Sequence, residues 1–229
     1  MERKVPAAHP NSRFTTSIDQ YPNVSDRFND PMGVPISAIM FGGRRAKLIP
    51  LILEAYSWEE GVLLAAMMKV ETTAAVELEV GVIRADPMAM KPFCGYNMGD
   101  YFNHWLTFRS KSNNLPKIFL FNAFRRDENG KYLWPGYGQN LRILKWIIDR
   151  CNTKVAAVET AIGYVPIPDS LNLNGLAISR QTIQELLLVN KEEWVSELES
   201  SQLLFDTFGE RFPGELRRAY SKLMDKLRN

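Results

Sequence analysis

Short apolar runs alternate with polar turns along the first two thirds of the sequence. Three of these runs, at residues 36–41, 50–55 and 117–122, have the length and bulk of buried strands. Asn129-Gly130 is a strong signal for a tight turn, which joins the segment after the third run to residues 132–134. This part of the chain is therefore predicted to build a sheet.

Helical stretches lie between these strands. Ser57 and Glu60 form a capping-box pattern before an apolar stretch, and Asn97 stands before a second helix. The second helix carries an aromatic stripe that is expected to lie in the core, formed by Tyr101, Trp105 and Phe108. A third helix is predicted from apolar residues at helical spacing, which are Leu141, Leu144, Ile148 and Cys151.

The last third of the chain is predicted to be helical. Helix starts are indicated by Ser179, by Asn190 with Glu193 three residues later, and by Pro213. Apolar residues follow each start at helical spacing, as expected for helices that pack on a neighbouring layer. The pattern is typical of a mixed α/β (α+β) fold with a mixed sheet and a helical C-terminal tail.

Three parts of one domain are predicted. Residues 1–35 are rich in Pro, Asn, Asp and Ser and form an irregular arm, residues 36–168 form an α/β body, and residues 169–229 form the tail. Because a domain seldom begins with a long irregular arm, the natural chain is expected to begin before Met1.

Composition and charge exclude several classes of protein. Hydrophobic residues make up 45% of the 229 positions, so the chain should fold, and a net charge of +2 does not indicate a nucleic acid or a membrane as partner. No apolar run approaches the length of a membrane-spanning helix, and the first residues lack a secretory signal, which favours a cytoplasmic protein. Cys94 and Cys151 are expected to be reduced.

Two segments offer arginine beside groups that suit an anion. In residues 9–14, Asn11 and Arg13 can grip a carboxylate or a phosphate, although an arginine in a polar loop is usually solvated. In residues 41–45, paired glycines precede Arg44 and Arg45, which could bind phosphate oxygens or stand in a plain solvated turn. The sequence contains neither the G-x-x-x-x-G-K-[ST] nor the G-x-G-x-x-G phosphate-binding motif.

A third segment, residues 121–140, is rich in aromatic residues and glycine. Flat side chains around a turn can form a slot in which a purine stacks, and Asn140 could read the edge of the ring. An aromatic hairpin packed on the sheet is the alternative, but the glycines on both sides of Tyr137 favour binding. A metal site built from His9 and His104 alone is unfavourable. Scattered and balanced charges disfavour a nucleic-acid binder.

Taken together, the order and spacing of these segments resemble the C-terminal part of GTP-dependent phosphoenolpyruvate carboxykinase over essentially the whole chain. The matching motifs are His9-Pro-Asn-Ser-Arg-Phe14, Phe41-Gly-Gly-Arg-Arg45, Asp86-Pro-Met-Ala-Met90, Pro92-Phe-Cys-Gly-Tyr-Asn97, His104-Trp105, Leu115-Pro-Lys-Ile118, Leu133-Trp-Pro-Gly136, Ile162-Gly-Tyr-Val-Pro166 and Leu171-Asn-Leu173. The family converts oxaloacetate and GTP to phosphoenolpyruvate, GDP and carbon dioxide with divalent metal ions.

The resemblance implies a nucleotide-binding C-terminal lobe and a role for each matching residue. Arg13 and Arg44 would be catalytic and would also contact the GTP phosphates, and residues 68–81 would form a mobile lid. The substrate-binding residues would be Asn11, Ser12 and Arg13, and the remaining GTP-binding residues would be Phe124, Tyr132, Tyr137, Gly138, Gln139 and Asn140.

The sequence departs from the family pattern at several of these positions. Tyr132 and Tyr137 stand where phenylalanine is usual, Ala123 replaces a tryptophan and Lys69 replaces an arginine. The resemblance places the ligands for Mn²⁺ and Mg²⁺ in the N-terminal portion of the enzyme, outside this chain. We therefore expect a C-terminal fragment that is inactive alone; the alternative is a non-enzymatic nucleotide-binding or interaction module.

Overall fold

A computed structural model describes residues 15–73 and 79–229 and is built around a mixed five-stranded sheet. The strand order is β1-β5-β2-β7-β6, in which β1 and β5 are parallel and the other neighbours are antiparallel. A separate hairpin pairs β3 with β4. The strands are β1 (Ala38–Gly42), β2 (Ile52–Glu54), β3 (Lys69–Glu71), β4 (Ile83–Ala85), β5 (Lys117–Phe121), β6 (Ala157–Glu159) and β7 (Tyr164–Pro166).

Helices cover both faces of the sheet, and most begin at the predicted caps. The hydroxyl of Ser57 accepts the N–H of Glu60 at 3.2 Å, and the side chain of Asn190 accepts the N–H of Glu193 at 3.1 Å. None of the helices in the described residues is long and apolar enough to cross a membrane. The helices are α1 (Trp58–Ala66), α2 (Met98–Lys111), α3 (Leu141–Cys151), α4 (Arg180–Leu187), α5 (Lys191–Asp206) and α6 (Gly214–Arg228).

The sheet separates two apolar clusters. Along β5, Ile118 and Leu120 face a cluster formed with α1, α2, α5 and α6, whereas Phe119 faces a cluster formed with α3 and α4. This alternation follows from the twofold side-chain period of a strand. The three layers confirm the predicted mixed α/β fold, and α5 and α6 confirm the helical tail.

Two apolar stripes predicted the right helices but not the buried faces. On α2 the fully buried aromatic residue is Phe102, whereas Tyr101 and Trp105 lie at the edge of the core and Phe108 is 39% exposed. The expectation that this stripe lies in the core was therefore wrong for Phe108, whereas Tyr101 and Trp105 are partly buried and pack against the core. On α3, Leu141 is 73% exposed, while the buried residues are Ile143, Trp146 and Ile147. The spacing of apolar residues alone therefore does not determine which face of a helix packs against the sheet.

Candidate functional site

The Gly-Gly-Arg-Arg segment leaves the carboxyl end of β1 and runs against the hairpin of β3 and β4. The N–H of Glu71 donates to the carbonyl of Arg44 at 2.9 Å, and the carboxylate of Glu71 accepts the N–H of Ala46. A Cβ added at Gly43 would lie 2.4 Å from Cγ1 of Val70. Glycine at this position therefore permits the close approach of the two backbones.

The two arginines have different environments. Arg45 is buried and donates to both carboxylate oxygens of Glu197 on α5, at 3.0 and 3.2 Å. Lys69 lies 3.4 Å from the same carboxylate, and burial lowers the pKa of Lys69 although Glu197 opposes that shift. Arg45 thus anchors the loop to the helical tail, so the sequence interpretation that both arginines could bind phosphate is wrong for Arg45.

Arg44 is exposed and lies over an aromatic ring. Its Cζ atom is 4.8 Å from the centroid of Phe124, a distance typical of a cation–π contact. Phe124 is in turn held by Asn122, whose side-chain oxygen accepts the N–H of Phe124 at 3.1 Å. The structure therefore brings the predicted phosphate-binding arginine and a predicted base-binding ring together.

Asn122 is a site residue that sequence reasoning missed. Its side chain is buried, accepts the N–H of Arg45 at 3.3 Å, and donates to the carbonyls of Arg45 and Ile49 at 2.8 and 3.1 Å. One amide thus joins the loop after β1 to the segment after β5. The available signal in the sequence was a polar residue directly after an apolar strand, because a polar side chain that is buried there must find hydrogen-bond partners.

Tyr132 completes a compact group with Phe124. The two rings lie 6.1 Å apart and nearly perpendicular. Arg126 lies over the ring of Tyr132, with its Cζ atom 4.9 Å from the ring centroid. Its guanidinium also donates to the Tyr132 hydroxyl at 3.0 Å. The predicted turn is present, with Gly130 at a φ of +78°. The Tyr132 hydroxyl, which the phenylalanine usual at this position would lack, therefore has Arg126 as its hydrogen-bond partner.

The 3₁₀ turn Tyr137–Gln139 presents the remaining predicted residues beside α3. Tyr137 is 92% exposed, and within the described part of the chain it makes no ring contact with Phe124 or Tyr132. A Cβ added at Gly138 would meet no other described residue within 4 Å. Arg142 Nε donates to Gln139 Oε1 at 2.8 Å, and Trp134 Nε1 donates to Asn140 Oδ1 at 2.9 Å.

Other predicted elements lie partly or wholly outside the described residues. These are Asn11, Ser12 and Arg13 of the arm, and residues 74–78 of the lid. At the base of the lid, the Thr72 N–H donates to the Val82 carbonyl at 2.8 Å, which continues the hairpin.

Side chains that could bind a metal ion do not cluster in the part of the chain that the structure covers. Over residues 15–73 and 79–229, no group of three or more His, Cys, Asp or Glu side chains could hold a metal ion. His104 instead packs edge-on against Phe108, with ring centroids 5.1 Å apart. The side chains of residues 15–73 and 79–229 therefore do not offer, by themselves, the several converging ligands that a divalent ion needs.

Comparison with known proteins identifies the family. A family model described as "Phosphoenolpyruvate carboxykinase C-terminal P-loop domain" matches residues 1–226. The chain is 52% identical over 215 residues to "Phosphoenolpyruvate carboxykinase [GTP]" of Thermoplasma volcanium, a match that covers 94% of this chain and 36% of that protein. Proteins of the same name in Anaeromyxobacter dehalogenans (strain 2CP-1) and Chlamydia muridarum are 48% and 46% identical, each over 97% of this chain and 37% of their own length.

These matches confirm the resemblance seen in the motifs. The chain spans little more than a third of the length of these relatives. The family description includes a P-loop, whereas the sequence has no G-x-x-x-x-G-K-[ST] motif. The chain belongs to the GTP-dependent phosphoenolpyruvate carboxykinase family and lies within its C-terminal domain.

Proposed function

We propose that this chain supplies guanine recognition and phosphoryl-facing arginines to a carboxykinase that converts oxaloacetate and GTP to phosphoenolpyruvate, GDP and carbon dioxide. The observation that carries the proposal is the position of Arg44, which extends from the end of β1 over the ring of Phe124. An exposed guanidinium over the half-buried ring of Phe124, with the exposed ring of Tyr132 beside it, suits a ligand with both phosphates and a flat base.

In this proposal the base binds between aromatic side chains. Phe124 and Tyr132 form one wall, and Tyr137, which is 92% exposed, stacks on the base when nucleotide binds. Gly138, Gln139 and Asn140 line the edge of the guanine, where the open space at Gly138 lets the backbone approach the ring. The bond from Trp134 to Asn140 holds the Asn140 side chain in one orientation.

The arginines act on charge that develops during the reaction. Decarboxylation of oxaloacetate forms an enolate, and phosphoryl transfer spreads negative charge over the phosphate oxygens. Arg44 then turns from Phe124 to those oxygens, while Arg13, with Asn11 and Ser12, faces the substrate and the transferred group. Fixed guanidinium groups stabilise such charge most when water is excluded. Residues 68–81 act as the lid that excludes it.

The divalent metal ions of the reaction are assigned to a part of the enzyme outside the described residues. We propose that Mn²⁺ and Mg²⁺ bind to ligands in the N-terminal portion of the enzyme and supply charge neutralisation there, and that the enzyme is cytoplasmic. The steps assigned to this chain involve its own guanidinium, amide and aromatic groups. Membership of the carboxykinase family disfavours the alternative of a non-enzymatic interaction module.

Isothermal titration calorimetry of the 229-residue chain with GDP and ADP tests the proposal. The chain should bind GDP more tightly than ADP, and Tyr137→Ala should weaken GDP binding by about 5- to 150-fold, since stacking on one aromatic residue contributes about 1–3 kcal/mol. Tyr21→Ala, which removes a 57% exposed tyrosine outside the site, should leave the affinity unchanged. Equal affinity for GDP and ADP would contradict the guanine assignment.

A further inference from the structure

The turn proposed to line the edge of the guanine is built on flexible backbone. Gly136 has a φ of +112°, a region that favours glycine, and a Cβ added at Gly138 would meet no other described residue within 4 Å. Within the described part of the chain, neither the 3₁₀ turn Tyr137–Gln139 nor the start of α3 has a side-chain cap. Because glycine has the most conformational freedom to lose, such a turn keeps one shape only if other groups hold it.

Two side-chain hydrogen bonds hold this turn. Trp134, which is 1% exposed, donates from Nε1 to Oδ1 of Asn140 at 2.9 Å. Arg142, in the first turn of α3, donates from Nε to Oε1 of Gln139 at 2.8 Å. Indole and guanidinium groups are donors without an acceptor, so the oxygen of each amide must face them. Both amide side chains of the turn therefore have a chemically fixed orientation.

Arg142 also binds a second loop. Its two terminal nitrogens donate to the backbone carbonyls of Asn172 and Asn174, the second at 2.9 Å. This loop has order of its own, since the N–H of Asn174 donates to Oδ1 of Asn172 at 3.2 Å. Leu171, directly before the loop, is buried in the same apolar cluster as α3. One guanidinium thus connects the glycine-rich turn to a loop that is anchored in the core.

The planar shape of the guanidinium makes this connection possible. Its three nitrogens donate to three oxygens on two separate segments, and the side chain of Arg142 is half-buried. Each bond is charge-assisted, which makes it stronger than a bond between neutral groups. A lysine carries the same charge on a compact ammonium and cannot reproduce the fork. The geometry of Arg142, more than its charge, therefore ties the two segments together.

We propose that Arg142 is a positioning residue for guanine specificity, because it holds residues 137–140 in one arrangement before nucleotide binds. Guanine presents an acceptor at the position where adenine presents a donor. A fixed edge leaves a polar group unpaired when the wrong base binds, whereas a loose turn can move to suit either base. The inference rests on the proposed function for its ligand, but the tether itself can be measured without nucleotide.

Isothermal titration calorimetry of the 229-residue chain with GDP and ADP tests the specificity. Arg142→Met should weaken GDP binding about tenfold, because ordering of the turn then opposes binding, and should weaken ADP binding by less than about threefold. Arg142→Lys should resemble Arg142→Met, since it keeps the charge but not the fork. The matched control is Lys145→Met, which removes a cation that is 64% exposed on the same helix and should leave both affinities unchanged.

Amide hydrogen exchange of the chain without nucleotide measures the tether directly. The N–H groups of Gln139 and Asn140 donate to backbone carbonyls within the turn, at 3.0 Å each, and Arg142→Met should make both exchange at least about fivefold faster. The N–H of Asn174 should also exchange faster in this variant. Gln139→Leu should affect the turn alone, whereas Gln139→Glu, which still offers an oxygen to Arg142, should keep the turn protected.

Three results would overturn the proposal. The preference for GDP over ADP could be the same in Arg142→Met as in the wild-type chain. Both affinities could fall by the same factor, which would indicate a general loss of structure. The amides of the turn could exchange at wild-type rates in Arg142→Met. Equal affinity of the wild-type chain for the two nucleotides is a different outcome, which contradicts the proposed function and removes the specificity with it.

Discussion

Replacing Glu197 by alanine is the perturbation whose effect the structure determines most directly. Its carboxylate accepts two bonds from Arg45 and lies 3.4 Å from Lys69. The exposed fractions of the three side chains are 12% for Glu197, 8% for Arg45 and 11% for Lys69. Glu197→Ala therefore leaves two cations facing each other in a site with little access to water.

The expected loss is large for a single substitution. Removal of one partner from a buried ion pair costs about 3–5 kcal/mol, because the remaining charge stays buried without compensation. A domain has about 5–15 kcal/mol of unfolding free energy, so the variant should lose about a fifth of its stability or more. Arg45→Met and Lys69→Met combined with Glu197→Leu remove all three charges and should recover much of that loss.

The destabilisation of Glu197→Ala should also depend on pH. Burial already lowers the pKa of Lys69, and loss of the carboxylate that opposes this shift lowers it further. Such a lysine has a lower pKa in the folded protein than in the unfolded protein. It destabilises the fold at any pH where the lysine is protonated in both the folded and the unfolded protein. The difference from wild type should therefore shrink as the pH rises from 7 towards about 10.4, the ordinary lysine pKa.

Urea unfolding followed by tryptophan fluorescence measures these free energies. Glu199→Ala is the matched control, since Glu199 lies on the same helix in an exposed pair with Arg228 and should contribute at most about 1 kcal/mol. If Glu197→Ala and Glu199→Ala cost the same, or if the Glu197→Ala deficit does not change with pH, the buried network does not anchor the loop as argued.

Three further predictions concern the loop, the lid and the reaction. Gly43→Ala should cost about 1–3 kcal/mol in urea unfolding because its methyl group would meet Val70, whereas Gly138→Ala, with open space around it, should be nearly neutral. Amides of residues 72–81 should exchange faster than those of α1, since the segment has no cap or sustained period; equally slow exchange would contradict the lid assignment. A coupled assay with Mn²⁺ and Mg²⁺ should detect no phosphoenolpyruvate formation by the isolated chain, and turnover would refute the proposed division of the site.

Local chemistry made the helix starts and the turn predictable. Ser57 and Asn190 each accept an N–H three residues ahead, and such bonds involve only neighbouring residues. Asn129-Gly130 forms its turn because glycine adopts the positive φ that the turn requires. The order of short motifs was sufficient for the family, since each motif is contiguous along the chain.

The tertiary structure alone decided which of two adjacent arginines is available. Arg44 and Arg45 are equivalent in sequence, but Glu197 is 152 residues away from Arg45 and reaches it only because α5 packs beside the loop. The role of Asn122 likewise depends on contacts that span more than 70 residues. The sequence by itself determined the elements, the candidate loop and the family, because these follow from neighbouring residues. Partners and burial arise only when distant segments meet, which is why they required the folded chain.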